Sequence, residues 1–189
     1  IGFGRIGKVH ARSIQTRVED ACVLRVCDPF MNLEMEAEAR KLGILECGRD
    51  TEELIQDPRL DAVLICSSTH THAALSMEAA KAGKHIFCEK PATLSVESLD
   101  RMIGAAEKAG VNLMIGQVVR FWPEYRTAKQ MRDNGELGEL NYAYGARLSE
   151  HPAWSEWYRR PENSGGGLFD LHLHDIDFFC WMFGEVESV

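Results

Sequence analysis

The chain has 189 residues, 45% hydrophobic and 26% charged, in the ordinary range for one or two globular domains. A net charge of −8 without any Lys/Arg cluster argues against a nucleic-acid partner, and no apolar run reaches the length of a membrane span. Cys22, Cys27, Cys47, Cys66, Cys88 and Cys180 form no C-x-x-C pair and mostly sit in apolar surroundings, so they read as reduced core residues of a cytoplasmic protein.

In chain order, the first feature is a G-x-G-x-x-G turn at Gly2, Gly4 and Gly7, with Arg5 and Ile6 inside it. The first glycine permits a tight strand-to-helix turn, the second lets backbone N–H groups approach a pyrophosphate, and the third lets the helix pack near its strand. A helix continues to Arg17, an apolar strand-like run follows over 21–27, and Asp28 closes it. A carboxylate at that point accepts hydrogen bonds from both adenosine ribose hydroxyls and repels a 2′-phosphate, which favours NAD over NADP. Only Ile1 precedes the motif, so most of the first strand of such a fold is expected to lie before it. The β-like stretch 185–189 is likewise expected to pair with chain beyond it, which implies a longer natural protein.

Helical composition over 31–42 ends at Gly43, and Thr51 opens a short capped helix. Residues 60–66 read as a buried strand, 67–72 as a turn rich in hydroxyl and imidazole groups, and 72–82 as a helix stopped by Gly83. A short strand over 85–88 delivers Glu89, Lys90 and Pro91 to the sheet's carboxyl edge, where open α/β folds bind ligands. Helix 93–109, strand 111–116 and then Gln117 complete a doubly wound parallel domain over 1–118. Beyond it, 123–134 looks helical, 140–148 alternates like a half-exposed strand, and 151–167 is a long loop carrying Trp154, Trp157, Tyr158, Arg159 and Arg160.

Lys90 places an ammonium where it can hydrogen-bond a substrate hydroxyl and stabilise alkoxide character. Asp170 and His174 are four apart and share a helix face; His174 suits proton acceptance while Asp170 orients the imidazole or the substrate hydroxyls. Side chains two apart on a helix diverge by roughly 200°, so His172 and His174 do not chelate together and no metal site is assigned. Trp157 offers an aromatic face to a sugar, and equally an anchor onto the core.

Three elements in order resemble the Gfo/Idh/MocA family of NAD(P)-dependent oxidoreductases: the glycine turn, Ala82-Gly83-Lys84-His85 leading to Glu89-Lys90-Pro91, and Gly165-Gly166-Gly167-Leu168-Phe169-Asp170-Leu171-His172-Leu173-His174. The resemblance implies a Rossmann domain followed, over 119–189, by part of an α/β domain whose open, mainly antiparallel sheet makes a homo-oligomer. It also implies Lys90, Asp170 and His174 as the catalytic group and a cis bond before Pro91. The segment Ser67-Ser68-Thr69-His70-Thr71-His72 is similar to the family's T-P-x-x-x-H turn, with Ser68 where proline is usual and His72 at the family histidine. Ser67, Ser68, His72, Glu89 and Gln117 thus join the expected cofactor contacts. The function implied is hydride transfer between NAD and a hydroxyl of a sugar, cyclitol or related polyol. An NAD-using glycosidase and a non-catalytic NAD sensor are the alternatives, the latter disfavoured because all three catalytic residues are present.

Overall fold

The computed structural model describes residues 1–148 and 160–188, in two compact units, Ile1–Ile115 and Gly116–Val189. Among the described residues no helix is long and apolar enough to cross a membrane.

In the first unit, β1 (Arg25–Cys27) pairs in parallel with β2 (Glu46–Gly48), while β3 (Ala62–Ile65), β4 (His85–Cys88) and β5 (Leu113–Ile115) form a parallel sheet in that order. The start of the chain bridges the two. Ile1 N donates to Leu64 O and Cys66 N to Ile1 O, both at 2.7 Å, and Gly2 N donates to Cys27 O at 2.8 Å. The backbone therefore runs β2, β1, Ile1–Gly2, β3, β4, β5 across one parallel layer, reversing direction at the first residues as a doubly wound sheet does.

The crossover helices are α1 (Arg5–Arg17), α2 (Leu33–Lys41), α3 (Thr51–Ile55), α4 (Thr69–Lys81) and α5 (Val96–Ala109). Cys27, Ile55, Val63, Ile65, Ala79, Ile86 and Met102 form one buried cluster; Phe3, Ala11, Val26, Met31, Ala39 and Ile44 form another. The first joins α4 and α5 to the strands, the second α1 and α2. A fully buried Ile such as Ile65 contributes about 2–3 kcal/mol by leaving water. Helix α3 opens at Thr51 as expected, with Asp50 as its cap accepting from Glu52 N and Glu53 N, whereas several other boundaries shift by a few residues: α4 begins at Thr69, so His72 lies inside its first turn. The apolar run 21–27 is strand only over its last three residues.

The second unit contains a 3₁₀ turn (Val118–Phe121), α6 (Pro123–Asp133), α7 (Pro161–Ser164), a π turn (Leu168–His172) and α8 (Leu173–Phe183). Tyr125 meets Phe178 edge-on at 4.7 Å, and Phe178 meets Trp181 at 6.3 Å. The strand expected over 140–148 does not form, and no strand occurs in this unit among the described residues. Alternation alone makes no strand: without a partner ladder the backbone stays solvated, and Tyr142, Tyr144 and Leu148 are 82%, 79% and 95% exposed.

Candidate functional site

The glycine turn separates three different demands. Gly2 has φ +84°, and a Cβ there would lie 2.6 Å from Cys66 C and Ser67 N. A Cβ on Gly7 would lie 2.0 Å from Gly2 O, so the third glycine is required by the packing of α1 against the turn. Gly4 is exposed, and a Cβ there would meet nothing within 4 Å. Gly4 is also the N-cap residue of α1, with no side-chain cap and no acidic residue in the first turn. A helix start of this kind, without a side-chain cap or a first-turn carboxylate, has its positive dipole end suited to an anion.

Asp28 is buried to 9% exposure at the end of β1. Its Oδ2 accepts from Phe3 N at 2.8 Å and its Oδ1 from Phe30 N at 2.9 Å, fixing the glycine turn against the β1–α2 turn. A carboxylate has about four acceptor positions, which leaves capacity for hydroxyl donors.

Two further turns leave the same carboxyl edge. After β3, Ser67 Oγ pairs with Thr71 Oγ1 at 2.7 Å, and Ser68 is the N-cap residue of α4. After β4 come Glu89, Lys90 and Pro91, with the Lys90–Pro91 peptide cis. Glu89 Oε1 lies 2.6 Å from His10 Nε2 on α1, and Glu89 Oε2 accepts from Lys90 N at 3.2 Å. Burial would raise the Glu89 pKa, but hydrogen bonds and charge from His10 and Lys90 bring it below the usual carboxylate value. His72 is 1% exposed, its Nδ1 2.9 Å from Pro91 O and its Nε2 3.0 Å from Ser67 O. Burial lowers its pKa, against the two carbonyls that favour the charged ring. The Glu89 carboxylate and both His72 ring nitrogens thus face the protein's own groups.

In the second unit, Asp170 lies within the π turn and His174 in the first turn of α8, both half-buried on one continuous helical segment. Single π turns inside helices recur at functional sites. The neighbouring carboxylates are held by arginines: Arg120 binds Asp177 through Nε and Nη2, each at 2.7 Å, and Arg147 binds Asp175 at 2.7–3.1 Å. Hydrogen bonds from Arg147 hold the Asp175 carboxyl below its ordinary value. His172 Nδ1 also reaches Asp175, at 3.2 Å, so this histidine shares the Asp175 carboxylate with Arg147. Gln117 precedes the 3₁₀ turn, with its side-chain Oε1 buried and without a hydrogen-bond partner among the described residues. Trp157 lies outside the described residues.

Among the described residues no three His, Cys, Asp or Glu side chains converge as metal ligands. Cys27, Cys66 and Cys88 are buried, burial pushing the last two thiols up to about 12, whereas Cys22 is exposed. His10, Arg120 and Arg147 were not singled out from sequence. The one available signal for His10 was a histidine one turn after Gly7, on a helix that must pack against the sheet.

The family described as an oxidoreductase family with an NAD-binding Rossmann fold matches residues 1–117, and the GFO/IDH/MocA C-terminal domain matches 125–189. Myo-inositol 2-dehydrogenase of Thermotoga maritima is 38% identical over 190 residues, covering 100% of this chain and 55% of that protein. Scyllo-inositol 2-dehydrogenase (NAD(+)) of Bacillus subtilis is 36% identical, covering 100% and 54%. A crystal structure of scyllo-inositol dehydrogenase from Lactobacillus casei with bound NAD(H) and scyllo-inositol superposes with a TM-score of 0.81 at 29% identity, covering 97% of this chain and 54% of that one. The chain spans about half the length of the curated relatives it matches.

Proposed function

The chain belongs to the GFO/IDH/MocA oxidoreductase family, and from that premise we propose that its protein is an NAD-dependent dehydrogenase oxidising a hydroxyl of an inositol or a related polyol. The observation that carries the reading is the convergence on one carboxyl edge of the glycine turn, Asp28, the Ser67–Ser68 turn and Lys90. The open space at Gly4 fits a pyrophosphate, Asp28 has acceptor capacity for the ribose, and Pro29, Phe30 and Met31 offer no cation to a 2′-phosphate. NAD, when bound, supplies the hydride acceptor.

The chain's own residues supply the rest. His174 takes the proton from the reacting hydroxyl, with Asp170 orienting the imidazole and the substrate. The Lys90 ammonium donates to the same oxygen and stabilises it as it gains alkoxide character. As hydride leaves carbon, the C–O bond becomes a carbonyl, and one proton remains on His174. An open C-terminal sheet and oligomerisation through it form part of the same proposal, with domains over 1–118 and from 119 onward.

NADH absorbance, recorded with the full-length protein on a panel of inositols, other polyols and sugar acids, tests the reading. NADH accumulation on at least one inositol or related polyol is the expected result. NAD binding with no NADH from any member of the panel would overturn it, and glycoside cleavage without net NADH would favour the glycosidase.

A further inference from the structure

We infer that two helix-borne histidines brace Lys90 from either side, and that His72 acts on it through the Pro91 carbonyl oxygen. The inference rests on the proposed role of Lys90 in stabilising the developing alkoxide. The turn that carries this lysine lies outside any helix or strand, between the end of β4 and the start of α5. Glu89 N donates to Ile65 O as the last rung after β4, and α5 begins only at Val96. Pro91 has no N–H to give, so its carbonyl is the backbone handle it offers. A reacting group needs tighter placement than such a turn provides by itself.

That placement comes from α4 and α1. His72 on α4, 1% exposed, spans two successive turns at the carboxyl edge, with Pro91 O 2.9 Å and Ser67 O 3.0 Å from its two ring nitrogens. Both oxygens are acceptors, and a neutral ring has one N–H to give. The contact with Pro91 is the shorter and the more deeply buried, and we assign it the proton. On the other side, His10 Nε2 holds Glu89 Oε1 at 2.6 Å while Glu89 Oε2 accepts the Lys90 N–H at 3.2 Å. The Phe87 ring meets His10 edge-on at 5.3 Å and limits its rotation. The residues before and after Lys90 are thus held by different helices, one of which, α1, begins at the glycine turn. His10 and His72 are positioning residues: they set where the lysine stands and touch neither cofactor nor substrate.

Two conservative substitutions of His72 separate this role from general packing. In His72→Asn the side-chain amide nitrogen falls near the place of Nδ1; in His72→Gln it falls near that of Nε2. In the full-length protein with NAD and either myo- or scyllo-inositol, His72→Asn is expected to keep kcat within about threefold. His72→Gln is expected to lose roughly ten- to a hundredfold, with KM for NAD unchanged in both. Crystal structures of the variants should show Lys90 Nζ displaced by about 1 Å or more in His72→Gln alone. On a Lys90→Met background, His72→Gln should cost less than about twofold more.

Equal behaviour of Asn and Gln in both kcat and lysine position, or a full loss that persists without Lys90, would overturn the brace. Near-normal turnover in Lys90→Met alone would instead sink the lysine's catalytic role, and the crystallographic comparison would still decide the brace. Should both His72 variants fail to fold, His10→Gln, which keeps a donor for Glu89, is expected to hold Lys90 in place where His10→Leu does not. Identical lysine positions in those two would overturn it.

Discussion

Lys90 follows a strand bonded on both sides, β4 between β3 and β5, whereas Asp170 and His174 ride on a helical segment steered by ion pairs. In the first unit, backbone ladders, a glycine contact that admits no Cβ and buried side-chain bonds fix each turn at the carboxyl edge. In the second, Arg120–Asp177, Arg147–Asp175 and a cluster of aromatic rings on α6 and α8 do the work. The first kind of support is short-ranged and largely indifferent to salt. The second is partly solvent-exposed and screened, each pair contributing about 1 kcal/mol or less.

The comparison breaks most visibly at the chemistry, where both units are expected to matter equally. Lys90→Met in the first and His174→Ala in the second should each lower turnover by at least about a hundredfold, with NAD affinity nearly unchanged by calorimetric titration. Near-normal turnover in either variant would remove that residue from the proposed mechanism.

Within the first unit, Gly7→Ala and Gly4→Ala should part company. The clash of a Gly7 Cβ with Gly2 O should cost about 2–4 kcal/mol and lower the melting temperature. Gly4→Ala should melt like the native protein and bind NAD about tenfold more weakly, because its Cβ enters the space given to the pyrophosphate. A destabilised Gly4→Ala with normal NAD affinity would contradict the assignment. Asp28→Ala should cost about 1–2 kcal/mol by leaving the Phe3 and Phe30 N–H groups without their acceptor, and should narrow the gap between NAD and NADP. Equal or tighter binding of NADP by the native protein would refute the preference.

The smallest effect is expected in the second unit. Arg147→Met should cost about 0.5–1 kcal/mol near neutral pH, measured by chemical denaturation. The sign of its pH dependence follows from Asp175, whose folded pKa Arg147 holds below the ordinary value. Its contribution is fully present above the unfolded carboxylate pKa, about 3.9, and fades as pH falls through the lower folded value. Native and variant stabilities should therefore converge in acid and in high salt; a gap that widens in acid would reverse the account.

The same contrast sets what was legible from sequence. Gly2, Gly7 and Asp28 announce the first unit because glycine spacing and a strand-ending carboxylate encode local geometry. Gly110, with φ +68°, likewise marks the end of α5 by its own conformation. Lys90, Asp170 and His174 enter the proposal through motif spacing and the family resemblance. The intramolecular partners of His72 and Glu89 were not legible: a histidine near a helix start reads alike whatever it faces, and Pro91 and His10 lie 19 and 79 residues away from His72 and Glu89. Arg120 and Arg147 were missed because their partners are 57 and 28 residues away. The alternation over 140–148 predicted a strand, but pairing depends on a ladder partner that periodicity cannot supply.

Isotope transfer tests the central claim most directly. The full-length protein is given NAD and an inositol deuterated at its carbinol carbons, and the nicotinamide product is examined by mass spectrometry. One deuterium per NADH formed, lost in step with turnover in Lys90→Met and His174→Ala, is the expected result. Unlabelled NADH, or product released without any reduced nicotinamide, would contradict hydride transfer from a polyol carbon.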